Sequence, residues 1–433
     1  MTKTIKLAVV AALALGATSA FATNGDVMIG QGAKSRAMGG VGIAKSFGAE
    51  SALANPANIS SVKDSEATLA VTVFMPNVSF ASDAGAVAGG APTGSVNSSD
   101  SAANLSVIPE IYYATRLSDN LVLGLAIAGT AGMGTDYDGE AFGTATDNGA
   151  FRMKTALSLL KVAVPVSYTA GGLTVGLEGI LQYGSLEMSH MISDGAGGYN
   201  LLNNGASTDV GYGLEVGATY TTGGLTLGAV YKSKIGMTYD NTISASINAF
   251  GGAAATGVAS GDNLDQPEER GVGISYTMDE STISADYKNI AWGDAAGYAD
   301  FGWENQDVYA IGYEYAAKTW ALRLGYNYAK NPIVEQTSTT NPYGASVRNF
   351  FNLAGFPGVV ETHYTIGGAY NISDAFSLDA AFIYVPETSL SYDTSGMTAA
   401  FIQGAGGVPA GETSSADVKH SQMGLTIAGT YKF

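Results

Sequence analysis

Length, composition and charge exclude several classes of protein. The chain has 433 residues and a formal net charge of −18, and 13% of its residues are charged, against about 25% in soluble globular domains. So acidic a chain offers no basic face to nucleic acid, and the absence of cysteine excludes a disulfide framework. The 58 glycines and 24 tyrosines are typical of a membrane barrel with strongly twisted strands.

The first residues predict an export signal. Two lysines precede an apolar run at residues 7–15, and residues 20–22 form an A-x-A cleavage site. The apolar run is shorter than the roughly 20 residues that a spanning helix needs. We therefore expect residues 1–22 to be a signal peptide and the mature chain to begin at Thr23, with a buried N-terminal helix as the alternative.

Alternation of apolar and polar residues predicts about fourteen strands. Short turns such as Gly223-Gly224 alternate with long segments such as residues 241–269. This sorting is typical of an up-and-down barrel with short periplasmic turns and long extracellular loops, and a soluble sandwich has no reason for it. The predicted strands lie at 65–80, 106–116, 121–131, 155–169, 172–189, 210–222, 224–240, 270–277, 281–291, 306–316, 319–330, 361–372, 375–391 and 417–433.

The predicted fold is therefore all-β, a transmembrane antiparallel up-and-down β-barrel of about 14 strands at residues 65–433, in the bacterial outer membrane. The last strand must pair with the first, because an open sheet edge cannot exist in lipid. An ion facing mid-bilayer lipid would cost about 2–4 kcal/mol. We therefore expect the ionisable residues within the strands to face the interior, namely Glu178, Asp286, Arg323 and Asp379.

Residues 23–64 do not alternate. Their small residues and glycines predict compact turns and short helices, and about 40 residues can form a plug that fills a large barrel lumen. A disordered periplasmic tail is the alternative, because glycine-rich tails are common.

The same segment resembles a known family. A Gly-x-Gly-Ala-Lys-Ser-Arg-Ala-Met-Gly-Gly run ends at Gly39 and Gly40, and Asn55-Pro56-Ala57 follows it. Together they are similar to the N-terminal hatch of the FadL/TodX outer-membrane transport family. Further similarities occur at residues 107–110, 287–292, 331–332 and 363–386, and the layout of hatch plus fourteen strands covers essentially the whole mature chain.

The resemblance implies passive uptake of hydrophobic small molecules, such as long-chain fatty acids or aromatic hydrocarbons. Ligand would be captured among extracellular loops, held in an interior pocket and released when the hatch moves. The family also implies an inward kink in the third strand that opens a lateral gap. Gly129, Gly132 and Gly134 would permit such a break, since glycine weakens a strand ladder, although they could equally ease the twist of the barrel rim.

Two sets of residues are candidates for ligand contact. Phe350, Phe351, Leu353 and Phe356 form an apolar patch in a predicted extracellular loop, and exposed apolar clusters usually mark binding surfaces. Packing of one loop on another is the alternative use of this patch.

Lys232 and Arg323 are candidate interior basic residues for a fatty-acid carboxylate. Their alternative role is to balance the interior carboxylates. An uncharged hydrophobic ligand is therefore the alternative to a fatty acid.

The sequence contains no nucleophile–base motif, and its three histidines are too scattered for a metal signature, so we expect neither catalysis nor a metal or other cofactor. A general porin, a surface adhesin and a lipid hydrolase are the competing functions. Besides the hydrophobic ligand, the expected partners are outer-membrane lipid, lipopolysaccharide and the barrel assembly machinery, whose signal the terminal Phe433 resembles. We expect a monomer.

Overall fold

The computed structural model describes residues 23–84, 87–88, 91–92, 98–139, 151–193, 199–404, 411 and 413–433. The predicted signal peptide, residues 1–22, lies outside them.

Within the described residues, fourteen antiparallel strands close into one barrel, as predicted. Strand β14 pairs with β1 along its length, from Lys432 opposite Glu66 to Ala416 opposite Ser82, so the sheet presents no open edge to lipid. The barrel strands are β1 (Ser65–Ser82), β2 (Ser106–Arg116), β3 (Leu121–Gly139), β4 (Phe151–Ala170), β5 (Leu173–Ser193), β6 (Ser207–Thr222), β7 (Leu225–Lys232), β8 (Glu269–Met278), β9 (Ser281–Ile290), β10 (Gln306–Ala316), β11 (Trp320–Ala329), β12 (Thr362–Asn371), β13 (Phe376–Asp393) and β14 (Ser415–Lys432).

The connections are sorted by length, which confirms the predicted alternation. At the short-turn end, tight turns use Gly171 and Gly223 in the left-handed backbone region, with φ of 61° and 58°. At the long-loop end, residues 233–268 and 330–361 are the longest fully described connections. These and other segments contain helices α1 (Gly32–Ala37), α2 (Ile243–Ala249), α3 (Gly252–Thr256), α4 (Pro342–Ala354) and α5 (Ser395–Gly404) and the 3-10 helices Gly48–Ser51, Pro56–Ser61 and Trp292–Asp294.

Two predicted strand boundaries are wrong. The third strand continues past residue 131 to Gly139, and the seventh ends at Lys232 instead of residue 240. The alternation beyond Lys232 has a different cause. Ile235, Met237 and Tyr239 are buried in the core that the long loops form, so they are not a lipid-facing stripe.

The two faces of the strands divide as predicted. Outward residues such as Leu177 and Leu322 are 57% and 41% exposed and would contact lipid. The predicted inward residues Glu178, Asp286, Arg323 and Asp379 are all buried. No helix in the described part of the chain is long and apolar enough to span a membrane.

Residues 23–64, here the N-terminal segment, pack within the ring of strands. Helix α1 contacts β11 to β14, and the 3-10 helix Pro56–Ser61 contacts β4 to β6 on another part of the wall. The buried side of the segment therefore rests on the inward faces of many strands at once.

Inward-facing glycines make this packing possible. Across seven strands, a Cβ atom added to one of these glycines would lie within 3.0 Å of an atom of the N-terminal segment; they are Gly176, Gly217, Gly228, Gly273, Gly312, Gly325 and Gly367. These seven glycines thus serve close approach of the N-terminal segment to the wall, in addition to strand twist.

Gly176→Ala is expected to weaken packing of the N-terminal segment by about 1–3 kcal/mol, the usual cost of overpacking. Its new Cβ would lie 2.3 Å from the Ala57 nitrogen, a backbone atom that cannot simply rotate away. Limited proteolysis of the folded protein in detergent, read by mass spectrometry, should show faster cleavage within residues 23–64.

Gly179→Ala is the matched control, because Gly179 lies on the same strand with open space around its Cβ position. Equal cleavage rates in the two variants would show that close approach at Gly176 is unimportant.

Candidate functional site

Asn55, Pro56 and Ala57 begin the second 3-10 helix of the N-terminal segment. The Asn55 side chain accepts a hydrogen bond from the Ala57 nitrogen at 3.0 Å and donates one to the Ile43 carbonyl at 2.7 Å. Pro56 occupies the first turn, where its missing N–H costs nothing. The fully buried Asn55 thus joins the start of this helix to the preceding turn.

Gly39 and Gly40 follow α1 with φ of 70° and 85°. The Gly39 nitrogen donates to the Thr365 hydroxyl on β12 at 2.9 Å. A Cβ on Gly40 would lie 1.5 Å from the Ile29 carbonyl oxygen, so only glycine fits this turn.

A buried ion pair connects α1 to the barrel wall. The Arg36 guanidinium contacts the Glu110 carboxylate on β2, and both side chains are fully buried. The Tyr112 hydroxyl donates to the same carboxylate at 2.8 Å, and Arg36 also donates to the Thr72 hydroxyl at 2.7 Å. The charges are therefore paired and hydrogen-bonded, as burial requires.

An apolar pocket lies among the long loops. Its space measures about 350 Å³, including solvent at its mouth. None of its lining residues carries a charge; they are Met188, Ile243, Leu264, Tyr298, Phe301, Trp303, Asn352 and Phe356.

The polar side-chain atoms that reach this pocket already form hydrogen bonds within the protein. The Trp303 indole N–H donates to the Asn352 amide oxygen at 3.0 Å, and the Asn352 amide nitrogen donates to the Phe301 carbonyl at 2.8 Å. The wall therefore offers apolar surface and aromatic rings, without free donors for a ligand.

A second, polar cavity lies between the N-terminal segment and the wall, and its space measures about 560 Å³ with open solvent included. It is lined by the charged side chains Lys161, Glu215, Lys232, Glu269 and Lys288, together with apolar residues of the segment. Lys232 lies 3.4 Å from Glu215, and Lys288 lies 3.9 Å from Glu269.

The ladder between β2 and β3 stops inside the wall. Its last pair is Glu110 with Ala128, and β3 then bulges at Thr130 against β4. Beyond the bulge, Ala131 pairs with Val27 of the N-terminal segment instead of with β2. The predicted glycines lie at this place: Gly129 precedes the bulge, and Gly132 and Gly134 follow it. We call the unpaired interval between the two strands the β2–β3 gap.

Comparison with known proteins decides the family. Residues 8–433 match the family model described as "Outer membrane protein transport protein (OMPP1/FadL/TodX)". The protein belongs to the FadL/TodX family. It is therefore an outer-membrane transport protein, of a family of transporters and not of enzymes, and the predicted resemblance is confirmed.

Solved structures show the same fold at low identity. A Pseudomonas aeruginosa FadL homologue is 17% identical, with a TM-score of 0.67, over 94% of this chain and 100% of that one. The Pseudomonas putida toluene transporter TodX is 20% identical, with a TM-score of 0.66, over 95% and 100%. The Ralstonia pickettii toluene transporter TbuX is 19% identical, with a TM-score of 0.61, over 93% and 98%.

One curated relative matches only in part. An uncharacterized Chlorobium limicola protein, named for the 5′ region of a phosphoenolpyruvate carboxykinase gene, is 41% identical over 80 residues. That stretch is 18% of this chain and spans 39% of the relative's length.

In this FadL/TodX protein, the predicted capture patch is mostly buried. Phe350, Phe351 and Leu353 lie on α4 and are 6%, 1% and 0% exposed, so they do not form an exposed patch. Phe351 packs edge-on against Phe250 with ring centroids 5.2 Å apart. Phe356 lines the apolar pocket. The first three thus have the loop-packing role that the sequence left open, because α4 turns them towards the barrel mouth.

The predicted basic residues are interior but paired. Arg323 lies between Glu314 at 2.6 Å and Asp379 at 2.7 Å. Lys232 faces Glu215 and also donates to the Leu53 carbonyl at 2.7 Å. Both therefore balance wall carboxylates.

Several site residues escaped sequence reasoning. Lys161 and Lys288 were missed, although strand parity places both on inward faces. Tyr298 and Leu264 lie in loops, where no periodic pattern marks a pocket wall. Among the described residues, no three His, Asp or Glu side chains gather as metal ligands.

Arg36→Met is expected to lower the free energy of unfolding by about 3–5 kcal/mol, because Glu110 would remain buried without its partner. Urea titration of the detergent-folded protein, followed by the gel shift of the folded barrel, would measure the loss.

Lys154→Met is the matched control, since Lys154 pairs with Glu187 at 2.8 Å but both side chains are partly exposed, at 39% and 20%. Its cost should stay within about 1 kcal/mol. Similar losses in both variants would contradict a special role for the Arg36–Glu110 pair.

Proposed function

We propose that this protein is a passive channel for small, uncharged hydrophobic molecules, with monoaromatic hydrocarbons as the favoured class. The apolar pocket carries the proposal. Its wall has no charged residue, and its polar groups are hydrogen-bonded to each other or to other protein groups. Such a wall favours a ligand that has no polar group to satisfy.

The small size of the pocket and its aromatic walls favour a compact ring over a long acyl chain. The relatives named as toluene transporters, TodX and TbuX, support the same class. A fatty-acid carboxylate would need a basic partner, and none of the residues that line the apolar pocket is basic.

We further propose that ligand leaves through the β2–β3 gap beside Gly129, Gly132 and Gly134. The charged groups of the polar cavity oppose direct passage towards the short-turn end, because an apolar molecule would displace the water that solvates them. The gap offers another route, because the pairing of β3 with β2 ends there within the wall.

The domain division belongs to the same proposal. Residues 1–22 would be a signal peptide, 23–64 a hatch that keeps the lumen closed, and 65–433 the barrel. A closed lumen disfavours a general porin, and no contact or surface among the described residues favours an adhesin. Expected partners are the hydrocarbon, outer-membrane lipid with lipopolysaccharide and the assembly machinery. We propose that the chain acts as a monomer without catalysis or cofactor.

Ligand binding can be followed by tryptophan fluorescence in detergent. Trp303 lines the pocket and Trp292 packs against Trp303, whereas Trp320 faces outward and is 45% exposed. In a Trp320→Phe background, toluene should change the emission saturably. Phe301→Ser should weaken toluene binding about tenfold or more, because burying one apolar side chain is worth about 1.5–3 kcal/mol.

The Trp320→Phe background itself serves as the control for Phe301→Ser, because changing an outward side chain should leave toluene affinity unchanged. Decanoate is the competing probe. Binding of decanoate in preference to toluene would contradict the proposed ligand class.

A disulfide across the β2–β3 gap should block transport. A Cβ on Gly129 would lie 2.7 Å from an Ile108 methyl carbon, so Ile108→Cys with Gly129→Cys places two thiols within reach. The chain has no cysteine of its own. Toluene uptake into proteoliposomes should be lost on oxidation and restored by reductant, with pocket binding unchanged.

Ser275→Cys with Ser284→Cys provides the matched control, because these residues are directly paired on β8 and β9 in an unbroken ladder. Undiminished uptake through the oxidised gap variant would rule out the lateral route.

A further inference from the structure

One carboxylate lies between the long loops and the β2–β3 gap. Asp26 is fully buried in the N-terminal segment. Its Oδ2 accepts hydrogen bonds from the Tyr298 hydroxyl and, at 3.1 Å, from the Gln266 amide nitrogen. Its Oδ1 has no hydrogen-bond partner among the described residues. Burial raises the pKa of Asp26 to about 6, although both hydrogen bonds act in the opposite direction.

The backbone of the same residue reaches the gap. The Asp26 carbonyl accepts a hydrogen bond from the Gly132 nitrogen at 3.1 Å, and the adjacent Val27 pairs with Ala131. Asp26 therefore forms hydrogen bonds to β3 through its main chain and to the long loops through its side chain.

Tyr298 is also a wall of the apolar pocket. Its ring packs against Trp292 and Trp303, with centroids 4.6 Å and 4.9 Å away, while its hydroxyl reaches Asp26. Trp292 in turn packs on Gly25, where a Cβ would lie 2.6 Å from the indole ring. A ligand that contacts the Tyr298 ring thus contacts a side chain whose hydroxyl is hydrogen-bonded to the Asp26 carboxylate.

We propose that the Tyr298–Asp26 hydrogen bond couples occupancy of the apolar pocket to opening of the β2–β3 gap. A ligand that shifts the Tyr298 ring breaks this bond, because hydrogen bonds weaken steeply with small changes in distance and angle. Asp26 then keeps only Gln266, and its main chain releases Gly132. Tyr298 and Asp26 are positioning residues in this scheme, which rests on the proposed function.

Linkage makes the coupling measurable. If ligand favours the open gap, then loss of the hydrogen bond opens the gap without ligand, and the opened protein binds ligand at least as tightly as before. Simple damage to the pocket wall would instead weaken ligand binding. The two effects on affinity therefore have opposite signs.

Tyr298→Phe is the test variant, because it removes the hydroxyl and keeps the ring in the pocket. Hydrogen exchange at the Gly132 amide, in the full protein in proteoliposomes, reports the gap directly. Without toluene we expect about tenfold faster exchange than in the native protein, as for loss of one hydrogen bond to a charged group. Toluene should accelerate exchange in the native protein but add little in the variant, whose toluene affinity should be unchanged or higher.

Tyr239→Phe is the matched control, since this buried hydroxyl in the same loop core has no hydrogen-bond partner among the described residues. It should behave as the native protein does. Asp26→Asn keeps an acceptor oxygen and should retain slow exchange, whereas Asp26→Leu should not.

The outcomes separate the two proposals. Native-like exchange in Tyr298→Phe, or equal acceleration by toluene in the native protein and the variant, would overturn the coupling while the proposed function stands. Weaker toluene binding by Tyr298→Phe would also overturn it, in favour of a packing role. A native protein that binds no toluene would overturn the proposed function, and the coupling with it.

Discussion

Lipid offers no hydrogen-bonding partner to a backbone, and the rest of this structure depends on that constraint. A sheet can satisfy it only by closing on itself, so β14 must pair with β1. Fourteen strands then enclose a lumen too wide for wall side chains alone to fill. The N-terminal segment occupies that space, and it approaches the wall closely enough to require glycine on seven strands.

The second consequence of a lipid-facing exterior is that the charges of the strands collect inside. Arg36 with Glu110, and Arg323 between Glu314 and Asp379, are paired because an isolated buried ion would be very costly. The Arg36–Glu110 pair joins the N-terminal segment to the wall, and Arg323 joins strands within the wall. The buried charges also make the lumen polar towards the short-turn end. The apolar pocket near the long loops is therefore the proposed binding site for a hydrophobic ligand.

The pocket, the N-terminal segment and the β2–β3 gap meet within a few residues. Tyr298 belongs to the pocket wall, and Asp26 contacts both Tyr298 and Gly132. Val27 takes the place beside β3 that β2 leaves at Ala128. A channel with this arrangement can keep its wall closed until ligand is present, without a separate moving domain.

The sequence alone determined the barrel, its fourteen strands, the sorting of its loops and the inward position of residues such as Glu178 and Arg323, because alternation along a strand is a local pattern. It did not determine that β3 continues past its bulge, that Phe350 and Phe351 are buried, or that Tyr298 and Leu264 form a pocket wall. Only the tertiary structure decided these, since loops carry no periodic pattern and their contacts join residues far apart in the chain. Tyr298 and Asp26 are 272 residues apart, and only the closed barrel with its filled lumen brings them together.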